Sequence, residues 1–492
     1  MWVFNMIDIK QLQENYQSMK SNLSARNIRI DLDRIISLYE DVKSQKRELE
    51  DMQGQLNALS KGPRDSALTA EIPPSVAMSA MTLKGAIIKA KERFNLLGAE
   101  FSSCVRQLPN WTSSDVPIGL SDEDNLTVRV SGEIPTSVAM SAMALKGAII
   151  KAKERFNLLD AEFSLCIRQL PNWTSSDVPI GLSDEDNLTV RVSGDIPKFS
   201  FPSKDHLELG RNLDLLDFDS GAKVAGSKFY FLKNQAVFLQ HALKSYIFNK
   251  ALKAGFTPLQ TPDISYNHIM EGVGFSPKGD ESNTYELGGL DKSLIATAEI
   301  CIAGMHSDEV IDFARLPLLY IAESHCFRRE AGASGKSSKG LYRVHQFEKL
   351  ELFILCLPED SAEYHEKILA LQEEIYTELG IPYRVVLNCT GDLGAPAYRK
   401  YDIEAWMPGK GTAGEYGEIT SASNCTDYQS RRLNIKYKDP LLKKNQYVHT
   451  LNGTASALGR TMIAILENFQ KADGSVEIPE PLRRYLDFKN IV

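Results

Sequence analysis

Cysteine is sparse and unpatterned in this sequence: seven thiols in 492 residues, at positions 104, 166, 301, 326, 356, 389 and 425, with no CxxC pair. No Cys/His cluster has zinc-ligand spacing, so a disulfide framework and a structural zinc are both excluded, and the thiols read as free in a reducing compartment. No apolar run approaches the roughly 18 residues that a membrane helix needs, so no membrane span is expected. Neither GxGxxG nor GxxxxGK[ST] occurs, which removes the Rossmann and P-loop routes to nucleotide binding and leaves side-chain clamps as the route to ATP chemistry. Basic residues are outnumbered, 56 Lys and Arg against 64 Asp and Glu for a net charge of −8, so a nucleic-acid partner requires basic groups gathered locally. The opening MWVFNMIDIK is too short for a signal peptide and lacks the Arg- and Ser-rich character of a mitochondrial presequence, so targeting is expected to be absent or missing from this sequence.

What is present is a globular composition, 43% hydrophobic and 24% charged, on a chain long enough for two to four domains at roughly 100–200 residues each. Residues 71–132 recur as 133–194, differing only at Pro74/Thr136, Thr82/Ala144, Gly98/Asp160, Ser103/Leu165 and Val105/Ile167. Two copies this alike fit a recent duplication, or two alternative exons joined in one transcript, rather than a solenoid, which needs more units and tolerates more divergence. In the second copy Ala142, Leu145, Ile149, Ala152, Phe156, Leu159, Phe163, Cys166 and Leu170 follow steps of three and four, a heptad seam. Upstream, Ile35, Leu38, Val42, Gln45, Leu49, Met52, Leu56 and Leu59 do the same. Joined by polar KGPRDS at 61–66, the seams predict an antiparallel helical hairpin of about 28 residues per arm, roughly 42 Å long. The first copy offers the same seam through Ala80, Leu83, Ile87 and Phe94, yet one upstream helix has one groove. The second copy, continuous with the downstream half, is expected to fill it. Lys146, Lys151, Lys153 and Arg155 lie off its seam and are the candidate RNA-backbone patch, with Lys84, Lys89, Lys91 and Arg93 as their equivalents.

Domain 1–196 is therefore read as a helical arm carrying the tandem duplication, and 197–492 as an α+β domain on an antiparallel sheet, judging by stretches such as YRVHQFEKLELFIL at 342–355. Three stretches in it carry chemistry. CFRREAGASGKSSKGLYRVHQFEKLELF (326–353) reads as two strands around a basic loop, able to fork phosphates with Arg328 and Arg343, though alone it is equally a surface hairpin. EITSASNCTDYQSRR (418–432) offers Glu418 and Ser421 as hard oxygen ligands suited to Mg²⁺. NGTASALGRTMIAILENFQ (452–470) places Arg460 at the start of an apolar-periodic helix, where backbone dipoles also favour anions.

These stretches resemble motifs 2 and 3 of the class II aminoacyl-tRNA synthetases, and within that class the seryl-tRNA synthetases. GFTPLQTPDI (255–264) resembles motif 1, with Pro262 in the place of its interface proline, LIATAEI (294–300) resembles the serine-binding TAE loop, and the hairpin resembles the tRNA-binding arm. AYRKYDIEAWMPGKG (397–411) and the stretch that follows most resemble the animal mitochondrial branch. The resemblance implies a class II fold with an N-terminal coiled-coil arm, a homodimer, and a ligase that activates L-serine with ATP and transfers it to tRNA(Ser), with Mg²⁺ as cofactor. It implies that Arg328 bridges the α-phosphate and the substrate carboxylate, that Glu330 reads the adenine amino group, and that Phe347 stacks on adenine opposite Arg460. Arg343 would contact the outer phosphates, Glu418 and Ser421 the metal, and Thr297, Glu299, Arg328, Glu351, Asn452 and Thr454 the serine. A mitochondrial-matrix location is expected, with the cytoplasm as the alternative. A catalytically silent relative kept as a binding or regulatory protein is the rival from another class. His325 and His345 flank the hairpin and are expected to pack and hydrogen-bond rather than act as bases.

Overall fold

The computed structural model describes residues 9–60, 136–275, 283–330 and 339–492. The first copy of the repeat, the 61–66 connection, the second basic set at 84–93 and the loop 331–338 lie outside the described residues. The chain divides into two units, Glu40–Leu159 and Met1–Tyr39 with Asp160–Val492. That division falls elsewhere than the expected boundary at 196/197, because the first helices and the residues after 160 pack with the catalytic half.

Among the described residues the N-terminal region has four helices: α1 (Ile9–Glu14), α2 (Tyr16–Ala25), α3 (Leu32–Ser60) and α4 (Thr136–Arg168). Asp31 starts α3 by accepting the Arg34 backbone N–H at 2.9 Å, a side-chain cap on an otherwise orphaned donor. Within the larger unit Ile35, Leu38, Phe163, Ile167 and Leu170 are buried, and the rings of Tyr39 and Phe163 lie 5.8 Å apart. Cys166, expected in the seam, is only half-buried, and its neighbour Ile167 takes the buried position. A step of four and then three from Phe163 to Leu170 serves the seam as well as three and then four, and it buries the larger aliphatic group. In the smaller unit Val42, Ile149, Ala152 and Phe156 are buried while Lys146, Lys151, Lys153 and Arg155 are exposed.

The seat of α1 and α2 on the catalytic half is a buried guanidinium. Arg26, 6% exposed, donates to Thr174 Oγ1 at 2.7 Å and to the carbonyls of Gly394, Trp173 and Ala397 at 3.0, 3.2 and 2.7 Å. All four acceptors are neutral, and burial lowers the guanidinium to about 10. Beside it Asn22 donates to the carbonyl of Asn172, whose own amide donates to the carbonyls of Pro396 and Cys425.

Eight strands form the main sheet: β1 (Leu188–Ser193), β2 (Thr257–Gln260), β3 (Leu318–Phe327), β4 (Gln346–Cys356), β5 (Tyr383–Leu387), β6 (Arg399–Met407), β7 (Glu415–Thr426) and β8 (His449–Ala457). Their order is β1-β5-β6-β7-β8-β4-β3-β2, antiparallel except for β2 beside β3. The strand expected from Tyr342 begins at Gln346, since Gly340–Tyr342 is a 3₁₀ turn. Alternation on β4 sorts the two faces: Leu350, Leu352 and Ile354 join the core beneath α5 (Gln235–Lys253), α7 (Ser361–Glu378) and α9 (Leu458–Asn468). Phe353 and Leu355 join a second core with α6 (Ala298–Met305) on the opposite face, next to α8 (Tyr428–Leu433). A Cβ at Gly453 would run into Ile368 of α7, so only glycine lets that helix close on the strand while Asn452 and Thr454 face the other way.

Candidate active site

Two irregularities in the ladder bring the polar residues onto one face. Glu418 and Ser421 are three residues apart, which on a regular strand places them on opposite faces. The register slips between Ile403 and Glu404, so that Glu404 pairs with Glu418 and Asp402 with Ser421, and the extra residue restores both to the cleft. A second slip between Leu350 and Glu351 pairs Glu351 with Thr454. Phe347, Lys349 and Glu351 follow at period two on β4, and Thr297 with Glu299 enters from the start of α6, where Thr297 Oγ1 accepts the Glu299 backbone N–H.

The inner pocket is buried and acidic. Glu299 and Glu351 are 6% and 2% exposed. Glu299 Oε1 accepts from the Asn452 amide at 2.7 Å and the Gln429 amide at 2.6 Å. Thr454 Oγ1 donates to Glu351 Oε2 at 3.4 Å, and Lys349 forms an ion pair with the same oxygen. Burial, joined by the charge of Glu351, pushes the Glu299 carboxyl up to about 7, against the pull of Gln429, Lys349 and Asn452. The pocket thus holds two carboxyl groups, Glu299 and Glu351, and one ammonium, that of Lys349.

The outer cleft gathers guanidinium groups. Arg460 Nη1 donates to the Glu418 carbonyl at 2.9 Å and pairs with its carboxylate at 3.2 Å, while its plane lies 4.5 Å over the Tyr342 ring. The depth of the cleft alone would raise the Glu418 carboxyl, but Arg460, Lys400 and Arg328 together hold it well below the usual carboxylate range. Arg343 pairs with Glu330 at 2.6 Å, and Arg328 lies 5.2 Å over the Phe347 ring. Phe347 is thus faced by Arg328 rather than by Arg460, whose own partner is Tyr342, and Ser421 is placed beside Glu418 by register alone. His325 binds Asp263 at 2.9 Å, and His345 binds the Arg328 carbonyl and packs on Phe229, so both pack and hydrogen-bond as expected.

Comparison with known proteins identifies this arrangement. The model of the tRNA synthetase class II core domain (G, H, P, S and T) matches residues 286–469, and that of the seryl-tRNA synthetase N-terminal domain matches residues 6–112. A serine–tRNA ligase of Treponema denticola is 44% identical over 486 residues, spanning 99% of this chain and 100% of that protein. The chain belongs to the seryl-tRNA synthetase family. A second ligase, from Borrelia recurrentis, is 52% identical over 71% of this chain and 81% of its own length. The crystal structure of seryl-tRNA synthetase from Pyrococcus horikoshii complexed with ATP superposes with a TM-score of 0.79 at 34% identity, covering 99% of both chains. The curated relatives are bacterial enzymes, and none of these findings supports the animal mitochondrial branch. The chain is an aminoacyl-tRNA ligase of class II, not a silent relative.

For a seryl-tRNA synthetase the sequence reading missed four groups at the site: Lys349, Gln429, Tyr342 and Cys425. Lys349 was legible, since it alternates between Phe347 and Glu351 on one strand face. Gln429 carried no signal, because one glutamine in CTDYQSRR reads as helix surface until the helix is seen buried. Among the described residues no group of three or more His, Cys, Asp and Glu side chains could hold a metal, and no helix is long and apolar enough to cross a membrane.

Proposed function

We propose that the inner pocket takes L-serine and the outer cleft takes ATP, and that seryl-adenylate formed there is passed to the 3′ end of tRNA(Ser). The observation that carries this is the sheet face of Glu351, Asn452, Thr454 and Glu418, to which Glu299 is tied from α6 through Asn452 and Arg460 from α9 through Glu418. Glu299 and Glu351 receive the ammonium and hydroxyl of serine, Thr297, Asn452 and Thr454 complete the pocket, and Arg328 takes the substrate carboxylate and the α-phosphate. Glu330 reads the adenine amino group, Phe347 and Arg460 enclose the base, and Arg343 turns from Glu330 to the outer phosphates. With both reactants fixed, the serine carboxylate displaces pyrophosphate in line at the α-phosphorus, and positioning with charge neutralisation supplies the rate without a protein nucleophile. Glu418 and Ser421 suit Mg²⁺, a hard cation, because the carboxylate is kept ionised by its cationic neighbours and the hydroxyl shares its face. Magnesium bound there would neutralise phosphate charge. Serine-dependent pyrophosphate exchange is expected, with alanine rejected because it leaves a buried acid unpaired. Equal exchange with alanine or threonine overturns the reading.

Lys146, Lys151, Lys153 and Arg155 form the proposed RNA contact, since all four are exposed within ten residues of α4. Changing the four to glutamate should raise the KM for tRNA at least about tenfold and flatten its salt dependence, with pyrophosphate exchange unchanged. Loss of exchange in parallel would show a folding defect instead.

The chain is proposed to work as a homodimer through the segment after GFTP, where β2 ends the main sheet and Ile264 and Tyr266, in a separate three-stranded sheet beyond Pro262, keep 44% exposure each. Light scattering at micromolar concentration should give twice the chain mass, and monomer alone counts against it. The mitochondrial matrix is proposed from the resemblance of residues 397–411 and 417–432 and stands against bacterial relatives. A tagged full chain confined to the cytoplasm overturns it.

A further inference from the structure

Glu299 uses only one of its two oxygens on the protein. Oε1 receives both amides, from Gln429 at 2.6 Å and Asn452 at 2.7 Å, and Oε2 has no hydrogen bond among the described residues. Gln429 is 0% exposed on α8, and its orientation is set by what surrounds it. Its Nε2 also donates to the Val273 carbonyl at 3.2 Å, and its Oε1 accepts from Thr450 Oγ1 at 2.7 Å. Turned over, the amide would face a carboxylate and a carbonyl with its own oxygen and lose the threonine donor. A directed chain therefore runs from Thr450 on β8 through Gln429 on α8 to Glu299 on α6, three separate elements converging on one oxygen.

We propose that Gln429, with Thr450 behind it, is a positioning residue for serine recognition: it pins Oε1 of Glu299 and so presents Oε2 to the substrate. The inference rests on Glu299 as a serine ligand. Neither Gln429 nor Thr450 is given a contact with substrate, so their effect is exerted through the carboxylate alone.

This role has a signature that packing lacks. An amide donor on a buried carboxylate favours its charged form, and here it opposes burial and Glu351. The charged and titratable groups facing Glu299 are Glu351 and Lys349 from β4 and the Cys425 thiol from β7. Helix α8 and strand β8 contribute the neutral Gln429, Thr450 and Asn452, and the helix Asn267–Val273 a carbonyl. Loss of the Gln429 donor must then move the ionisation of Glu299 upward and leave the ATP side untouched.

The test is serine-dependent pyrophosphate exchange with Gln429→Met and Thr450→Val, from about pH 6 to 9. In Gln429→Met the acid limb of kcat/KM for serine is expected to move up by about one pH unit, with serine KM raised about tenfold near neutrality and the KM for ATP unchanged. Much of the loss is recovered at the alkaline end. Serine and ATP constants worsening together with an unmoved limb, or an unaltered serine KM, overturns the proposal. Should Gln429→Met melt far below wild type, Thr450→Val decides, because it removes only the donor behind the amide: a smaller upward shift supports the relay, and none refutes it. Glu299→Gln run in parallel separates the two readings. An unaffected serine KM there removes Glu299 as a ligand, whereas a raised one beside a silent Gln429→Met removes the relay alone.

Discussion

Pyrophosphate exchange should fall by on the order of 10²–10³ when Arg460 becomes alanine, with the fold retained. The guanidinium touches Glu418 and the Tyr342 ring in the cleft, whereas α9 is held by Leu458, Met462, Ile463 and Leu466 in the core. Removing the side chain takes away the principal cation on Glu418 and the group proposed to close over adenine, and it leaves Leu458, Met462, Ile463 and Leu466 in the core. Melting temperature close to wild type together with lost exchange is the expected pair of results. Exchange within tenfold of wild type would exclude Arg460 from the chemistry.

Glu299→Gln should raise the KM for serine by roughly ten- to a hundredfold, the loss of a charged hydrogen bond, and should also abolish a pH dependence. In the wild type the carboxyl stands near 7, and only its ionised form pairs with an ammonium. Serine affinity is therefore expected to rise with pH up to about 7 and then level off, and glutamine, which does not titrate, should give a flat profile. Stability moves in the opposite sense. A carboxyl raised from an ordinary 4.5 to about 7 is bound to its proton more tightly in the folded chain, so stability falls as pH rises between those values. The glutamine variant should melt no lower than wild type at alkaline pH. A wild-type serine profile with no limb near 7 would show that Glu351 alone carries the charge recognition.

Much of this site could be read from the chain because its residues sit in contiguous stretches. Arg328 and Glu330 flank one turn, Phe347 and Glu351 share a strand face by simple alternation, and Asn452 and Thr454 share another. The metal pair could not be placed by periodicity, since only the slip in β7 turns Glu418 and Ser421 to one side. Gln429 needed tertiary burial to be distinguished from an ordinary polar residue, whereas Lys349 shares the strand face of Phe347 and Glu351. The arm divides in the same way. Its seam is legible from apolar spacing, but two copies differing at five positions satisfy one pattern equally, and the family match runs through the first copy to residue 112 while α4 comes from the second. Spacing cannot choose between identical faces. The packing of the first helices on the downstream half was not legible for a different reason: Arg26 and Asn22 bind backbone carbonyls some 150 to 370 positions away, and carbonyls leave no mark in a sequence.

The buried Arg26 also separates two kinds of ionic strength dependence within one molecule. A guanidinium satisfied only by a hydroxyl and three carbonyls has no counter-charge for dissolved ions to screen. RNA held by exposed lysines is shed as salt rises, because each contact returns condensed cations to the backbone. Brine strong enough to strip bound nucleic acid from this protein should thus leave its first helices seated, and the washed enzyme should recover full charging activity on simple dilution.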